Sequence, residues 1–409
     1  MKKFFLFFVH NPMILALVFI LVVFLPTSIS VPPEGVQRQH ISTIGIDLAP
    51  NGVELSVLAH VAKNSDNYNE VYVLNSATAN SIPEALFKIS SASGRQVSLT
   101  HTTAIAVSEK ILQFGLHNVL DYFYRNDNIA NDTFVVCSVN SSAKDLLNFE
   151  KERINSTSYG LEELLVYNSK NTFFVQSDIE NFYKGYFSPT KTSVVALAEL
   201  EENPDAEQTL QSGGGQGGGG QSGGQPQKRV KTAGTLGILK NGFLVDKMTE
   251  QDIFGFNLVN NQTHNIFLTI EDFSDELFYD ATVQFNIVTN KISYISTFEN
   301  NRPVFTINSL VSLALESVLA NQVDKEYFYN NVNPLSPKMK AAIVQKLRQT
   351  FSSFMKKMIA DKTDVFGVYT ILNNQHPTKF KKWMQSLDDP ENFLAFIEFR
   401  MSANPILTT

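Results

Sequence analysis

Short apolar runs alternate with stretches of helical periodicity along the chain, and the densest part lies between Gly94 and Leu147. Thr103–Val107 is an apolar run with β-branched residues at both ends, which is typical of a buried strand. Apolar residues then recur at helical spacing on both sides of Gly115, and Thr133–Val139 is a second apolar strand. Strand, helix and strand in this order predict an α+β or α/β unit whose two strands are covered on both faces.

Residues with hydroxyl or carboxyl side chains occupy the positions at which these helices are predicted to begin. We expect Ser108 to cap the helix after the first strand, and Ser141 or Ser142 to cap the helix after the second strand. Ser81–Glu84 and Ser177–Glu180 have the spacing of capping boxes, in which a hydroxyl and a carboxylate accept from free amides at a helix start. Helices are therefore predicted to start at each of these positions.

A hairpin is predicted to open the N-terminal half of the chain. Ile41–Asp47 and Val53–Ala62 are apolar strands on either side of Pro50–Gly52, which is a strong turn signal. Ser193–Leu200 is the last strand predicted before the composition changes. We therefore expect a mixed α/β N-terminal domain over residues 31–200.

Glycine and glutamine dominate the segment that follows. Residues 201–229 start with acidic residues and contain a run, Gly213–Gly224, that cannot bury apolar surface. A phosphate-binding loop is the alternative interpretation of such a run, but no strand leads directly into it and no Gly-Lys-Ser/Thr sequence follows it. Residues 201–229 are therefore predicted to be a flexible Gly-rich linker.

Turn signals return after the linker. Asn241 and Gly242 form the dipeptide that suits a type I′ hairpin, and a helix is expected from Thr249 to about Leu258. These elements are interpreted as parts of a small second domain over residues 230–275.

Strands with one buried face are predicted for the C-terminal α+β domain, residues 276–409. Ala281–Val288 and Lys291–Phe298 alternate between polar and apolar residues, and we expect them to pair as strands joined at Thr289-Asn290. Ser309–Leu319 is ambiguous, because its apolar residues have helical spacing.

The longest predicted helix opens at Ser336-Pro337 and ends near Ala360. Its apolar residues form one stripe: Met339, Ile343, Leu347, Phe351, Phe354 and Met358. Its lysines and arginine fall mostly off that stripe, and the solvated face of a core-packed helix is favoured over a membrane-binding helix because the chain is acidic. A helix beginning at Asp364–Gly367 and a closing strand at Asn392–Met401 are expected to complete the domain.

Charge and cysteine content restrict the function classes. The 409 residues include 33 Lys+Arg and 40 Asp+Glu, giving a net charge of −7. This balance argues against a nucleic-acid partner, because phosphate binding requires clustered Lys and Arg. Cys137 is the single cysteine, so an internal disulfide is excluded, and its apolar strand predicts a core residue rather than a reactive thiol.

An apolar stretch at the N-terminus predicts export. Lys2 and Lys3 precede the largely apolar Phe4–Leu25, which as a helix would span about 33 Å, near the hydrocarbon thickness of a bilayer. Ser28–Ser30 offers small residues for cleavage, so a signal peptide is the alternative. Residues 1–30 are expected to remain as a transmembrane anchor, with the chain after Pro32 outside the cytoplasm.

The motifs from Gly94 onward resemble the GerAC, or Ger(x)C, family, the C subunits of nutrient germinant receptors in spore-forming bacteria. The residues that carry the resemblance follow in this order: Gly94-Arg95, His101, Thr103–Val107, Gly115-Leu116, Arg125 with Asp127, and Phe134–Val139. The long helix, the Asp-x-x-Gly helix, Trp383 and a final strand are similar to the C-terminal part of the family, whereas Ala403–Thr409 does not match its basic-Gly tail. The resemblance covers about residues 41–200 and 230–402.

The resemblance implies a subunit of a membrane receptor. It implies a place at the spore inner membrane with the ectodomain on the outer face, A and B receptor subunits as partners, and a nutrient germinant bound by another subunit. Many members are lipoproteins with a cysteine just after the apolar run. Because no cysteine precedes Cys137 here, a single N-terminal anchor rather than a lipid is expected.

The sequence contains no motif of a chemical site. The histidines show neither an HExxH motif nor an i, i+4 pair, and no Gly-x-Ser-x-Gly occurs. We therefore predict no catalytic, cofactor-binding or metal-binding residue, and no cofactor. The acidic pairs are expected to be solvated: Glu162-Glu163, Glu201-Glu202 and Asp388-Asp389. His101 is expected to be a satisfied core histidine, and Arg125 with Asp127 to form a capped turn.

Three functions remain open at this point. The favoured one is a non-catalytic, membrane-tethered subunit of a nutrient germinant receptor that helps to trigger spore germination through protein contacts. The second is an exported, membrane-anchored solute-binding protein, and the third is an exported hydrolase whose site is not recognised. A ligand that raises heat stability would favour the second, and turnover of a peptide or glycan would favour the third.

Overall fold

The computed structural model describes residues 38–62, 70–157, 161–168, 175, 177–202, 228–231, 235–260, 266–276, 278–323 and 335–407. The predicted anchor and residues 203–227 of the predicted linker lie outside these described residues. Within the described ranges, no helix combines the length and apolar character needed to cross a membrane. The described strands form two sheets, so a mixed α/β architecture is observed.

The first sheet has ten strands, counted over the described residues. They are β1 (Arg38–Ala49), β2 (Gly52–Ala62), β3 (Glu70–Ala79), β4 (Gln96–Ser98), β5 (Ala104–Ser108), β6 (Phe134–Val139), β7 (Thr192–Glu202), β8 (Lys228–Lys231), β9 (Leu236–Lys240) and β10 (Phe243–Met248). Their spatial order is β10-β9-β7-β6-β5-β1-β2-β3, with β4 beside β1 and β8 beside β7. The central strands β1, β5, β6 and β7 are parallel, and β2, β3, β9 and β10 extend the sheet in antiparallel pairs.

Helices cover both faces of the first sheet. They are α1 (Ile82–Ser93), α2 (Glu109–Phe114), α3 (Leu116–Tyr124), α4 (Ala143–Thr157), α5 (Leu161–Asn168) and α6 (Ile179–Tyr186). Apolar residues of α1, α2, α3 and α6 pack on one face, and those of α4 and α5 pack on the other. Every residue of β5 is consequently buried, which confirms the prediction of a strand covered on both sides.

The second sheet has the order β11-β12-β13-β14. Its strands are β11 (Ile266–Phe273), β12 (Phe278–Glu299), β13 (Arg302–Val323) and β14 (Glu398–Leu407). Its helices are α7 (Glu250–Asn260), α8 (Pro337–Ala360), α9 (Val368–Gln375) and α10 (Pro377–Gln385), with a 3₁₀ helix at Pro390–Phe396. The long strands β12 and β13 pair antiparallel, whereas β14 is parallel to β13. One face of this sheet, the helix α8 and the helix α7 share one core.

Several local predictions are confirmed. Ser81 caps α1 by accepting from Glu84 N at 3.4 Å, and Gly94 ends that helix in the left-handed region at φ 64°. Ser142 Oγ accepts from Asp145 N at 3.0 Å at the start of α4. The apolar stripe predicted for α8 is buried along its full length.

Two predicted caps are wrong, and one predicted helix is divided. Ser108 remains the last residue of β5, in register with Ser138, and its buried hydroxyl makes no capping bond. At α6 the cap is Asp178 rather than Ser177: Asp178 Oδ1 accepts from Asn181 N at 2.7 Å. The apolar residues around Gly115 form two short helices, because Gly115 has φ 108° and interrupts the helical backbone.

The predicted turn at Thr289-Asn290 is also wrong, because β12 is continuous. Asn290 is buried, donates from Nδ2 to Leu258 O at 2.5 Å and accepts from Ser309 Oγ at 2.6 Å, so its polarity is satisfied inside the fold. Ser309–Leu319 lies within β13. Its irregular spacing reflects a bulge in the β12–β13 pairing near Leu315 that interrupts the two-residue alternation.

The sheets divide the C-terminal half differently from the predicted domains. Strands β9 and β10 join the first sheet through pairing of β9 with β7, whereas β11 lies in the second sheet. The described residues between 230 and 275 are therefore shared between the two sheets. The closing strand starts at Glu398 rather than Asn392, because Pro390–Phe396 forms the 3₁₀ helix, and it extends to Leu407.

Candidate functional site

The carboxyl ends of the parallel strands open into a polar cleft of about 590 Å³. In open α/β sheets, ligands bind outside this edge of the strands. We call this the carboxyl-end cleft, and its lining residues are Asp47, Leu48, Glu54, Ser108, Glu109, Lys110, Gln113, Asn140, Ser141 and Ser142. In this fold, the cleft is therefore the expected position of a ligand site.

Asp47 holds the start of α4 at this cleft. Its carboxylate accepts from Ala143 N at 2.9 Å and from Lys144 N at 3.0 Å. The Lys144 ammonium group lies 2.7 Å from Glu54 Oε1. The amides that could bind a phosphate at a helix start are therefore already occupied by the protein's own carboxylate.

Two further polar residues of the cleft, Glu109 and Asn140, contact neighbouring strands. Glu109 pairs with Lys247 at 2.7 Å, and Asn140 Nδ2 donates to Glu199 Oε1 at 2.5 Å. Ser108 is buried, and no histidine belongs to the residues lining the cleft. The described geometry therefore offers polar recognition and no nucleophile paired with a base.

A larger cavity, of about 730 Å³, lies beside the end of α1. We call it the Arg95 cavity; its lining includes Arg38, Phe87, Ser90, Arg95, Gln96, Tyr122 and Asn128. Two guanidinium groups and several amides and hydroxyls make this lining suited to a small anionic solute. The Gly94-Arg95 dipeptide that contributes to the family resemblance thus ends α1 and places an arginine in this cavity.

Three histidines lie close together near the start of β1, one of them the His101 that was expected in the core. His101 is exposed rather than a core histidine, and its ring centroid lies 4.9 Å from that of His40. His40 is directly opposite His60 in the β1–β2 pair. Burial and the nearby His101 and His60 lower the pKa of His40. In the described part of the chain, no group of three or more His, Cys, Asp or Glu could hold a metal ion.

Arg125 and Cys137 both have structural surroundings. Arg125 forms an ion pair with Asp121 one turn earlier in α3, with Nε donating to Oδ1 at 3.1 Å, whereas Asp127 is exposed. The predicted turn therefore uses Asp121 as the partner of Arg125. Cys137 is fully buried, as predicted, and burial raises the pKa of its thiol, which keeps it protonated.

The described residues of the acidic pairs lie at or near the surface. Glu163 is exposed, Glu201 lies 3.5 Å from Lys231, and Asp389 lies 2.8 Å from Lys362. Asp388 is exposed in the segment before the 3₁₀ helix.

Two buried carboxyl groups were not found from the sequence as candidate sites. Glu150 in α4 accepts from Thr43 Oγ1 at 2.9 Å and from Leu161 N at 3.2 Å, and burial raises its pKa to about 7. Asp364 accepts from Val368 N at 2.8 Å and Tyr369 N at 2.9 Å, and burial raises its pKa to about 6. The Asp-x-x-Gly spacing was the available signal for Asp364, while nothing in the sequence marked Glu150 as buried. Both groups hold helix ends, since each accepts from backbone amides.

Both halves of the chain match models of one family. Residues 36–200 match the family described as "Spore germination protein N-terminal domain", and residues 234–397 match "Spore germination B3/ GerAC like, C-terminal". Among solved structures, the "Crystal Structure of the GerBC protein" is similar, with 14% sequence identity and a TM-score of 0.49, over 90% of this chain and 97% of that chain. No curated protein matches the chain.

Together these two matches extend over most of the chain. The protein is thus a two-sheet, mixed α/β member of a spore germination family. The chain belongs to the GerAC-like family, the C subunits of spore nutrient germinant receptors.

Proposed function

We propose that the protein is a non-catalytic, membrane-tethered subunit of a nutrient germinant receptor and acts through contacts with other subunits. The observation that carries this proposal is the match of both halves of the chain to one germination family. The A and B subunits of the receptor are the partners proposed, and the nutrient is bound by another subunit. The site of action is the outer face of the spore inner membrane.

The polar groups described above support a role in contacts rather than in turnover. Asp47, Glu150 and Asp364 each accept hydrogen bonds from backbone amides, and this use maintains the fold. Lys144 and Lys247 are paired with acidic side chains. Groups engaged in this way are poorly placed for proton transfer.

A tether increases the effect of modest contact surfaces. We propose that residues 1–30 stay attached as a single transmembrane anchor, since Phe4–Leu25 is largely apolar and follows Lys2 and Lys3. Confinement to the membrane raises the effective concentration of partner subunits, so that interfaces too weak to persist in solution hold a complex there. We further propose that residues 203–227 join the two halves as a flexible linker.

Germination assays test this proposal. Spores without the gene should fail to respond to one class of nutrient while responding normally to a nutrient-independent trigger. A chain without residues 1–30 should behave like the deletion, and a chain whose anchor is replaced by an unrelated transmembrane segment should restore the response. A normal nutrient response in the deletion strain, or full activity without any anchor, would contradict the proposal.

A solute-binding function is the second candidate, and the Arg95 cavity is the observation that favours it. If the chain itself captures a nutrient carboxylate, the full-length protein in detergent should gain heat stability with that nutrient, and Arg95→Ala should abolish the gain. An unchanged melting temperature across the germinants that trigger the spore would exclude this candidate.

A further inference from the structure

Helix α8 has an unusual charge for this chain. Its basic residues are Lys338, Lys340, Lys346, Arg348, Lys356 and Lys357, and its sequence contains no Asp or Glu. The whole chain has more acidic than basic residues, 40 against 33. A long helix without one acidic residue is therefore a local concentration of positive charge on an acidic protein.

A groove runs between α8 and the edge strand β14. It has a volume of about 670 Å³ and a mostly apolar lining. We call it the α8–β14 groove. Its apolar residues are Phe351, Met355, Ile359, Phe399 and Met401. Strand β14 pairs with β13 on one side and is the last strand of its sheet, so the groove lies at an open edge of the fold.

Positively charged side chains lie at the rim of this groove. Arg348 and Lys356 line it and are exposed, and the ion pairs that α8 forms within the described residues belong to Lys357, with Asp246 and Asp361. Arg400 also lines the groove, but it pairs with two carboxylates, Glu299 and Glu398, and this group of three carries no positive charge overall. The uncompensated positive charge of the rim thus comes from Arg348 and Lys356.

Arg348 also affects the backbone at the sheet edge. Its Nε donates to Met401 O at 3.1 Å, so a carbonyl of the edge strand already has a partner. A side chain across an edge strand hinders the addition of another strand. The groove is therefore better suited to a helix, whose backbone groups are satisfied internally, than to an extended segment.

We propose that the α8–β14 groove binds an acidic amphipathic helix of a partner protein, an inference that rests on the proposed function and locates one of its contact surfaces. The apolar face of such a helix packs on Ile359 and Phe399, which are partly exposed above the buried Phe351 and Met355. Its Asp or Glu residues face Arg348 and Lys356 across the rim. An apolar floor with charged rims is the arrangement by which grooves select both a helix and its charge.

A bilayer surface fits the same residues less well. The groove is concave, and its apolar side chains lie between a helix and a strand rather than on a protruding face. The net charge of −7 also opposes adhesion to anionic lipid as a whole. A protein segment can enter the groove, whereas a planar headgroup layer contacts only its rim.

Site-specific photo-crosslinking tests this proposal in the full-length chain in spore membranes. A photoreactive residue in place of Ser352, which lines the groove, should crosslink to a protein segment that has apolar residues three and four positions apart and flanking Asp or Glu. The same residue in place of Ser353, which is exposed on α8 but does not line the groove, is the matched control. Its yield should be at least tenfold lower.

Charge reversal supplies the second readout. The double variant R348E/K356E should reduce the crosslink from position 352 at least tenfold, while K338E/K346E, on the same helix but outside the groove, should leave it within twofold. Equal yields at positions 352 and 353, a crosslink to lipid or to a segment without acidic residues, or a yield unaffected by R348E/K356E would each overturn the proposal. Co-purification of receptor subunits with the unsubstituted chain tests the proposed function separately, so failure of the groove alone leaves those subunits bound.

Discussion

The backbone amide of Asp364 donates a hydrogen bond to Thr192 Oγ1 over 3.3 Å, although 172 positions separate the two residues in the chain. Thr192 begins β7 in the first sheet, and Asp364 lies in the loop between α8 and α9. Lys240 Nζ donates to Lys362 O at 2.9 Å, and Lys357 pairs with Asp246 in the same region. The two sheets are thus joined by direct contacts as well as by the chain between them.

Replacing the Asp364 side chain should destabilise the start of α9, next to this junction. Asp364→Ala removes the acceptors for Val368 N and Tyr369 N and should lower the free energy of unfolding by about 2 kcal/mol, as for the loss of a buried helix cap. Asp364→Asn keeps one acceptor oxygen and should lose less. Urea unfolding of the purified chain measures both; an alanine variant as stable as the native protein would contradict this role.

Local signals made part of this fold predictable. The turn around Pro50–Gly52, the cap at Ser81 and the apolar stripe of α8 depend on residues close in sequence, and the structure confirms each of them. The pairing of β9 with β7 and the continuity of β12 through Asn290 depend on distant partners. A polar residue that is satisfied by a distant carbonyl and hydroxyl has the same sequence signature as a residue in a turn.

The candidate surfaces were predictable to a smaller extent. The Gly94-Arg95 dipeptide and the basic residues of α8 were visible in the sequence, but not the cavity or groove that they line. Burial of Glu150 follows from the packing of α4 against β1, where Thr43 lies. Such burial is a property of tertiary contacts, and sequence spacing carries no signal for it.

Glu150 should make stability depend on pH. Its pKa is raised to about 7 by burial, so the folded state binds a proton that the unfolded state releases above its ordinary pKa. The contribution is complete at low pH and is lost as pH rises through about 7, by up to about 3 kcal/mol. Glu150→Gln should therefore lose less stability than the native protein between pH 5 and pH 8.

The quantity to measure is the change in the free energy of unfolding between pH 5 and pH 8, by urea unfolding of both the native protein and Glu150→Gln. The buried glutamine amide lowers the free energy of unfolding by the same amount at both pH values, so it does not alter the change between them. Parallel pH profiles for the native protein and Glu150→Gln would show that this carboxyl group does not control the dependence.

Gly242 tests whether the β9–β10 hairpin packs against α3. A Cβ added there would lie 2.5 Å from His117 Nδ1 at a backbone φ of +81°, and Gly242 O accepts from Leu116 N at 2.8 Å. Gly242→Ala should destabilise the protein by about 2 kcal/mol through backbone strain and overpacking.

Gly94→Ala is the matched control for Gly242→Ala. Gly94 also has a positive φ, of +64°, but a Cβ there would meet no atom within 4 Å, so this variant should lose only about 1 kcal/mol. Thermal unfolding of both variants gives the comparison. A smaller loss for Gly242→Ala than for Gly94→Ala would mean that the hairpin is not packed against α3.

Asn290 should be important to the second sheet despite its turn-like sequence. Asn290→Ala leaves Leu258 O and Ser309 Oγ without this buried partner and should lower the free energy of unfolding by about 2 kcal/mol. Lys291→Ala, at the exposed neighbouring position, should change it by less than about 0.5 kcal/mol. Urea unfolding with equal effects for the two variants would argue for a turn at this point.

The most direct test of the central claim is the composition of the complex that the full-length chain forms in the spore membrane. After gentle solubilisation, affinity purification of the tagged chain followed by quantitative mass spectrometry should recover the A and B receptor subunits in amounts comparable to the chain itself. The purified chain alone should show no binding of the triggering nutrient by calorimetry. Recovery of the chain without these subunits, together with specific nutrient binding by the isolated chain, would contradict a role through protein contacts.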